Sequence, residues 1–160
     1  MGYVLQSGNV TPGHLAQFIT DNVIGDAGPI LASQKVLGAI FGADFNTTSD
    51  QPIVLPSSIN AFQLTGIIVT NASISLTTAF GGFYPLTSKA GSPIVSASQG
   101  YSALTSSSVL LQPTLTTFAM TTRFSNAILT NLWAIYFSLT IPQGATASAD
   151  VYAIGLDLSP

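Results

Sequence analysis

The chain of 160 residues carries three cationic and six anionic side chains, and its charged fraction of 6% is far below the roughly 25% of an ordinary soluble domain. The cations, Lys35, Lys89 and Arg123, are far apart in the sequence, which excludes the clustered basic patch that nucleic acid binding requires. The absence of cysteine excludes disulfide bonds and thiolate metal sites. A net charge of −3 provides little repulsion between copies, so the composition predicts self-association.

Residues 1–50 are predicted to form an N-terminal arm with short strands, because their apolar runs are brief and bounded by glycine. Residues 51–160 are expected to form the main β domain. The sequence does not open with a positively charged region followed by an apolar stretch, so we expect no secretory signal and synthesis in the cytoplasm. The apolar run VLGAIFGA is shorter than the ~20 residues of a membrane-spanning helix, so no membrane partner is expected.

The pattern at residues 29–42 favours one short helix. Pro29 suits the first turn of a helix, and Leu37 and Phe41 would share one helical face. Two glycines within this stretch oppose the helix by about 1 kcal/mol each relative to alanine. The polar segment ADFNTTSDQP, residues 43–52, is typical of a linker and would lead into the β domain.

A strand with one buried face is predicted from Phe62 to Leu76, where apolar and polar residues alternate. Ile68 and Ile74 belong to the apolar set and are expected to face the core. The length of this stretch predicts one bent strand or two strands in series, with the break at Gly66 or Asn71.

Residues 132–158 contain two further alternating runs, joined through Pro142-Gln143-Gly144. In the first run, the face with Ile135 and Phe137 is expected in the core. The opposite face of this run and the small-residue face of the second run are semi-apolar, which a strand face turned to water would not need. We therefore predict contact with another sheet or another subunit. The residues expected at an interface between copies are Leu132, Trp133, Tyr136 and Tyr152.

Turn signals separate the remaining runs at short intervals, at FGGFYP, SKAGSP, SQGYS and LQPT. Short strands with regular turns are typical of antiparallel architectures, and threonine and serine at the exposed positions suit a pleated surface. The sequence therefore predicts a mainly β fold, an antiparallel β-sandwich or jelly roll of about eight strands.

Residues for catalysis are scarce. His14 is the only histidine, the chain contains no glutamate, and the sequence G-x-S-x-G does not occur. Most of the aspartates lie in turn-like sequence, and Asp150 and Asp157 are an odd number of residues apart, so they would point to opposite faces of one strand. We therefore expect no enzymatic activity, no metal site and no cofactor.

Aromatic residues crowd the glycine-rich segment AFGGFYPLTSKAG. Exposed rings beside polar groups can stack on sugars, so this segment is a candidate glycan loop. Packing of the rings in the core or in an interface is the alternative, and the apolar area of each ring favours it. The candidate glycan residues are Phe80, Phe83, Tyr84 and Lys89.

The segment GNVTPGHLAQFITDNVIGDAG, residues 8–28, resembles the N-terminal segment of a group of small virion proteins of tailed bacteriophages. The segment IIVTNASISLTTAFGGFYPLTSKAGSPIV, together with YSALT and the terminal residues 132–159, is similar to the β domain of the same group. The resemblance implies a structural component of a phage particle, made late in infection. It supplies no active-site residue.

Composition and resemblance lead to one main hypothesis, a homo-oligomeric capsid decoration protein, expected to be a trimer, that stabilises the phage head. Its partners would be further copies of itself and the major capsid protein or another virion protein. The alternative is a host glycan- or receptor-binding module of a head fibre or tail. The arm would contact the capsid or a neighbouring subunit by strand addition. The candidate contact residues of the arm are Tyr3, Val4, Leu5, His14, Leu15, Phe18 and Ile19.

Overall fold

The structure, a computed structural model, describes residues 5–6, 14–20, 23–29, 34–59, 62–116 and 134–157. The contacts divide the chain into two compact units, residues 1–33 and residues 34–160. The division therefore lies between residues 33 and 34, and the segment 43–52, which the sequence suggests as a linker, belongs to the larger unit.

The smaller unit contains a three-stranded sheet with the order β1-β3-β2. Its strands are β1 (Leu5–Gln6), β2 (His14–Thr20) and β3 (Val23–Pro29). β3 pairs antiparallel with β2 and parallel with β1. The N-terminal region thus has a sheet of its own.

The larger unit is a β-sandwich, as the sequence predicts, and its described residues form strands and turns without a helix. Sheet I has the order β4-β10-β6-β8, sheet II has the order β5-β9-β7, and all pairs are antiparallel. The strands are β4 (Gln34–Asp44), β5 (Gln51–Val54), β6 (Phe62–Thr70), β7 (Phe80–Tyr84), β8 (Leu110–Leu111), β9 (Ala134–Ile141) and β10 (Ser148–Asp157).

The strands pair in a nested antiparallel order, in which the first strand of the sandwich pairs with the last and later strands pair progressively inward. β4 pairs with β10, β5 with β9, and β6 with β8. The innermost pair is β7 with the segment 94–100, through the bridges Phe83↔Val95 and Phe80↔Gly100. From β4 to β7, and again from β8 to β10, successive strands alternate between the two sheets. This arrangement is a jelly roll.

The prediction of a helix over residues 29–42 is wrong. Gln34–Asp44 is strand β4, which pairs with β10 along nearly all its length. Leu37 faces the core, and a Cβ on Gly38 would lie 2.7 Å from the carbonyl oxygen of Val54 on β5. Pairing and close packing between the sheets outweigh a helical pattern that two glycines already weaken.

The core between the sheets is centred on Phe137 of β9. Its ring centroid lies 4.9 Å from that of Phe45, 5.1 Å from that of Phe83 and 6.0 Å from that of Tyr101. All four rings are fully buried. The Tyr101 hydroxyl donates to the carbonyl oxygen of Gly81 at 3.2 Å, so the polar atom of this aromatic cluster is satisfied.

A bulge in β6 changes which of its residues face the core. Leu64 faces the core before the bulge and Ile67 faces it afterwards, because the register with β10 shifts between them. Ile68, which the alternation places inside, therefore lies on the outer side. The strand ends at Thr70, before Asn71, which has a φ of 55°.

β10 turns its small residues towards the core, contrary to the expectation that they form the exposed side. A Cβ on Gly155 would lie 2.3 Å from the carbonyl oxygen of Gln63, so this side of β10 has no room for larger residues. Tyr152 and Ile154 consequently lie on the outer side of sheet I. The small residues that face inward are Ala149, Val151, Ala153 and Gly155.

Candidate interaction surface

The side of sheet I that is turned away from the core carries apolar side chains on each of its four strands. Val36 and Phe41 of β4 are 53% and 74% exposed, and Leu110 of β8 is 57% exposed. Half-buried residues of β6 and β10 lie between them. The outer apolar face, as we term this surface, consists of Val36, Phe41, Ile68, Leu110, Tyr152 and Ile154.

Phe41 projects from the outer apolar face because a bulge interrupts β4. Phe41 and Gly42 together oppose the single residue Asp150 of β10. Gly42 has a φ of 66°, in the left-handed region that glycine adopts without strain. The Gly42 backbone N–H donates to one Asp150 carboxylate oxygen at 2.8 Å, and the side-chain amide of Asn71 donates to the other at 3.0 Å. A side chain of β10 thus stabilises the bulge.

The exposed ring of Phe41 is oriented by Tyr152. The two ring centroids are 5.8 Å apart and the ring planes meet at 84°, an edge-to-face arrangement that aromatic pairs favour. Because the rest of the Phe41 side chain is largely exposed, this contact and the bulge determine where the ring stands above the sheet.

A groove of about 510 Å³ lies on the same side of sheet I, further along β10. Gly66 lines the groove, and a Cβ at this position would lie 3.0 Å from the side-chain nitrogen of Gln112 and would narrow the space. The apolar residues of its lining are Val36, Ile68 and Ile154, and the polar ones are Gln34, Lys35 and Gln112.

Charged groups at the border of the outer apolar face have partners within the chain. The Nζ atom of Lys35 lies 2.6 Å from Oδ2 of Asp157 beside the groove, and Asp150 accepts the two hydrogen bonds at the bulge. An exposed ion pair of this kind contributes at most ~1 kcal/mol to folding. Its effect here is to neutralise the border, so that the surface between the groove and the bulge is uncharged.

The residues predicted at an interface between copies have different positions. Tyr152 belongs to the outer apolar face, as described. Tyr136 is 7% exposed, and the neighbouring Ser138 on the same side of β9 donates to the carbonyl oxygen of Thr48 at 3.2 Å. The chain itself therefore covers this side of β9, and the prediction for Tyr136 is wrong. Leu132 and Trp133 lie outside the described residues.

The aromatic part of the predicted glycan loop is not a loop, because Phe80–Tyr84 is strand β7, and only residues 85–91 of the segment form turns. Phe83 and Tyr84 are buried, so neither ring can meet a sugar. The Lys89 ammonium donates to the carbonyl oxygen of Thr48 at 2.9 Å and links two turns of the domain. Phe80, which is 37% exposed, is the member of the predicted set that presents its ring to the outside.

The glycine pair of this segment is explained by packing. A Cβ on Gly81 would lie 2.5 Å from the Cα atom of Leu139, and a Cβ on Gly82 would lie 2.4 Å from the carbonyl oxygen of Val95. Neither backbone could move away without breaking the strand pairing on that side of β7. The two glycines therefore permit close strand packing, and the segment FGGFYP is part of the sandwich.

Five of the seven residues predicted to form the contact arm lie in strands of the smaller unit. Leu5 belongs to β1 and is in register with Val23 of β3. Tyr3 and Val4 lie outside the described residues. The residues in β2 are His14, Leu15, Phe18 and Ile19.

Two carboxylates of the larger unit accept hydrogen bonds from backbone N–H groups in turns. Asp44 accepts the backbone N–H of Asn46 at 2.7 Å through its side chain, and Asp50 accepts the backbone N–H of Ser88. Within the described ranges, no group of three or more metal-ligating side chains occurs. These contacts stabilise loops, which is the usual role of aspartate at such positions.

Two buried tyrosines have raised pKa values. Burial raises the pKa of Tyr101, and the neighbouring Tyr84 raises it further. Burial also raises the pKa of Tyr84, with the negative charge of Asp50 as the second cause. Both phenols stay protonated at neutral pH, which is consistent with a packing role.

Of the residues in the outer apolar face, Tyr152 is the one that the sequence predicts at an interface. A signal was present in β10, where small residues recur at every second position. Small residues on one side of a strand indicate tight packing on that side, and the larger residues then face outward. The bulge of β6 lies between Leu64 and Gly66, at one of the two breaks that the sequence predicts, whereas the bulge of β4 that exposes Phe41 is not predicted.

No family model, curated protein or solved structure matches this chain. Among the residues that the structure describes, no helix is long and apolar enough to cross a membrane. The candidate surface therefore has to be interpreted from its own geometry and chemistry.

Proposed function

We propose that the chain is a non-enzymatic structural protein of a phage virion, a homo-oligomeric capsid decoration protein that binds the major capsid protein or another virion protein and stabilises the head. The outer apolar face is the observation that carries this proposal. It extends over the four strands of sheet I, and at its border Lys35 and Asp157 form an ion pair while Asp150 is hydrogen-bonded to neutral donors. Contiguous exposed apolar surfaces of this kind mark sites of protein–protein contact.

The fold is compatible with this role. Jelly rolls recur in viral capsid domains and also in lectins, and a fold alone does not determine a function. The resemblance of residues 8–28 to virion proteins of tailed bacteriophages favours the capsid role. The low net charge also favours this role. Decoration proteins lie close together on a shell, and a charge of −3 causes only weak repulsion between neighbouring copies.

In this proposal the two units of the chain have different binding partners. The sandwich would supply the contacts between copies, and the smaller unit would supply contacts to the shell. A small sheet can bind another protein by adding a strand to it, and main-chain hydrogen bonds then provide affinity without charged side chains. Such binding suits an N-terminal region in which the only charged residues are Asp21 and Asp26.

The test of the proposed function is to look for the chain in purified particles. We expect mass spectrometry to detect it in virions, and electron microscopy to show ordered copies on the outside of the head shell. Its absence from virions would overturn the proposal. Shells that lack the chain should bind the full chain and should not bind a variant without residues 1–28. Binding of that variant would exclude the N-terminal region as the contact to the shell.

A host glycan- or receptor-binding module of a head fibre or tail is the second candidate, and Phe80 is the observation that favours it. The exposed ring of Phe80 is in register with Ile141 of β9, which is exposed as well. A ring presented in this way can stack on a sugar. The unmodified chain should bind sugars on a glycan array, and the substitution Phe80→Ala should abolish this binding. An array without binding by the unmodified chain would eliminate the glycan-binding form of this candidate.

A further inference from the structure

We infer that two copies of the chain pair through the outer apolar face, with Phe41 of each copy inserted into the groove beside Gly66 of the other. This inference rests on the self-association in the proposed function and specifies its geometry. The result is a dimer with two-fold symmetry, whereas the sequence predicts a trimer.

The protruding ring and the groove lie on the same surface, at different positions along β10. Phe41 is next to Asp150, and the groove is beside Ile154, four residues further along the strand. At ~3.3 Å per residue the two features are roughly 13 Å apart along β10. A surface with both a protrusion and a hollow can match a copy of itself, and in an isologous pair each contact occurs twice.

Tyr152 lies midway between the two features. A two-fold axis in the plane of contact that passes close to Tyr152 would place each Phe41 over the groove of the other copy. The same axis would bring the Tyr152 rings of the two copies together. Tyr152 would then be at the centre of the interface, where aromatic residues contribute most to binding.

Phe41 is prepared for this contact before the copies meet. The edge-to-face contact with Tyr152 and the bulge stabilised by Asp150 limit the positions that its ring can adopt. A side chain that is already ordered loses less conformational entropy on binding. The exposure of a large, ordered aromatic ring is therefore consistent with a partner that receives it.

About half of the groove lining is apolar and matches the chemistry of an incoming ring. Val36, Ile68 and Ile154 line it, and at Gly66 the incoming ring would meet backbone instead of a side chain. At its border, the Gln34 side chain donates to the hydroxyl of Thr65 at 2.6 Å and is held to the side. A ring that enters this space would replace water on apolar surface, which is favourable.

Electrostatics permits two identical surfaces to meet. An isologous contact brings charges close to copies of themselves, so an unpaired charge in the surface would cause repulsion. Lys35 and Asp157 form a pair of opposite sign, and Asp150 is hydrogen-bonded at the bulge. The Lys35–Asp157 pair therefore adds no net charge. The donors to Asp150 are neutral, but the Asp150 carboxylates of the two copies, each two residues from the axis, would be roughly 13 Å apart, where salt screens their repulsion.

The available area sets the strength of a pair of copies. Ten residues of β10 span ~33 Å and the three long strands of sheet I, ~4.8 Å apart, span ~14 Å, so with the short β8 the sheet offers up to roughly 500 Å² per copy. The total of ~1,000 Å² is about the smallest that a specific interface needs. The pair should therefore form in a concentration-dependent way and become dominant where copies are held close together on a shell.

Sedimentation of the full chain over a range of concentrations tests the pairing. We expect a monomer–dimer equilibrium, and Phe41→Ala and Gly66→Leu should each raise the dissociation constant at least tenfold. Phe41→Ala removes the inserted ring, and Gly66→Leu fills the groove. A mixture of the two variants should associate more strongly than either alone, because one supplies an open groove and the other supplies the ring. The matched control is Val54→Ala, which shortens an apolar residue of sheet II that is 52% exposed, and it should leave association unchanged.

The outcomes separate this inference from the proposed function. A chain that stays monomeric at every concentration would overturn both the pairing and the proposed self-association. Self-association that neither variant weakens would overturn only the pairing. A three-subunit mass for the unmodified chain would overturn the two-fold axis.

Cross-linking gives a second measurement that does not depend on how Gly66→Leu folds. The chain has no cysteine, so single cysteines can be introduced cleanly. Tyr152→Cys should form a disulfide-linked dimer on oxidation, because the axis passes close to residue 152. Phe41→Cys should cross-link to Gln112→Cys and much less to itself, and Val54→Cys should remain monomeric. Equal cross-linking of all these variants would contradict the geometry.

Discussion

The carboxylate of Asp150 and the backbone N–H of Gly42 are joined by a hydrogen bond of 2.8 Å that connects β10 to the bulge of β4. The contact holds Phe41, the residue before Gly42, on the exposed side of sheet I. Asn71 donates to the same carboxylate from the turn after β6. One side chain therefore stabilises both the bulge that presents Phe41 and the turn beside it.

Replacement of Asp150 by alanine should lower the free energy of unfolding by about 1–2 kcal/mol, because two hydrogen bonds to a charged acceptor are lost at a partly exposed site. Self-association should weaken as well, because the ring of Phe41 is no longer held in place. Denaturant titration measures the first effect and sedimentation the second. Asn71→Gly is the control: it removes one donor, keeps the positive φ accessible, and should have the smaller effect. Asp150→Ala with unchanged stability would show that the carboxylate does not support the bulge.

Phe83→Ala should lower the free energy of unfolding by about 3–5 kcal/mol, because it removes a fully buried ring from the cluster around Phe137. Phe80→Ala, in the same strand, should change it by about 1 kcal/mol or less, since that ring is partly exposed. Thermal or denaturant unfolding distinguishes the two. A loss of sugar binding in Phe83→Ala would therefore report unfolding, and Phe80→Ala is the appropriate variant for glycan assays. Similar stability of both variants would contradict the core assignment.

Gly82→Ala should destabilise the sandwich by about 3 kcal/mol or more, because the new Cβ would lie 2.4 Å from the carbonyl oxygen of Val95, a backbone atom that cannot turn away. Gly144→Ala is the matched control. Residue 144 has a φ of 79° and its Cβ would meet open space, so the expected cost is the conformational one alone, about 1–2 kcal/mol. The denaturant midpoints of the two variants measure this difference. A lower midpoint for Gly144→Ala than for Gly82→Ala would mean that β7 and the segment 94–100 are less closely packed.

Stability should fall at high pH because of the buried tyrosines. Burial raises the pKa of Tyr101 above the value near 10 that a tyrosine has in an unfolded chain. Above pH ~10 the unfolded chain loses a proton that the folded chain keeps, so the free energy of unfolding decreases by about 1.4 kcal/mol per pH unit for this residue. Below pH ~10 the contribution is fully present.

Denaturant titrations at increasing alkaline pH measure this slope, and phenolate absorbance reports ionisation directly. In Tyr101→Phe the slope should be smaller by the contribution of one tyrosine, while stability at neutral pH drops by ~1 kcal/mol because the bond to Gly81 is lost. An unchanged slope in the variant would mean that Tyr101 is not the group responsible.

The candidate surface shows which features were readable in advance. Alternation in β6 and β10 indicates strands with one buried side, and recurring turns indicate a sandwich. The alternation in β10 assigns its two sides the wrong way round, and Tyr152 lies outside the core because the small residues of β10 face inward. Val36 and Phe41 were not predicted, because their segment was interpreted as a helix, and Ile68 was assigned to the core. The helix prediction failed because β4 pairs with β10, more than 100 residues away in the sequence, and such a distant partner leaves no trace in the local pattern.

Composition and alternation by themselves determined that the chain is mainly β, sparsely charged and poorly protected against contact with its own copies. The tertiary structure alone decided which side of each strand is buried. Alternation shows that a strand has two different sides, but one extra residue at a bulge exchanges them, as at Gly42 and in β6. The packed sheets decide where the bulges lie, since their positions depend on how strands distant in the sequence fit together.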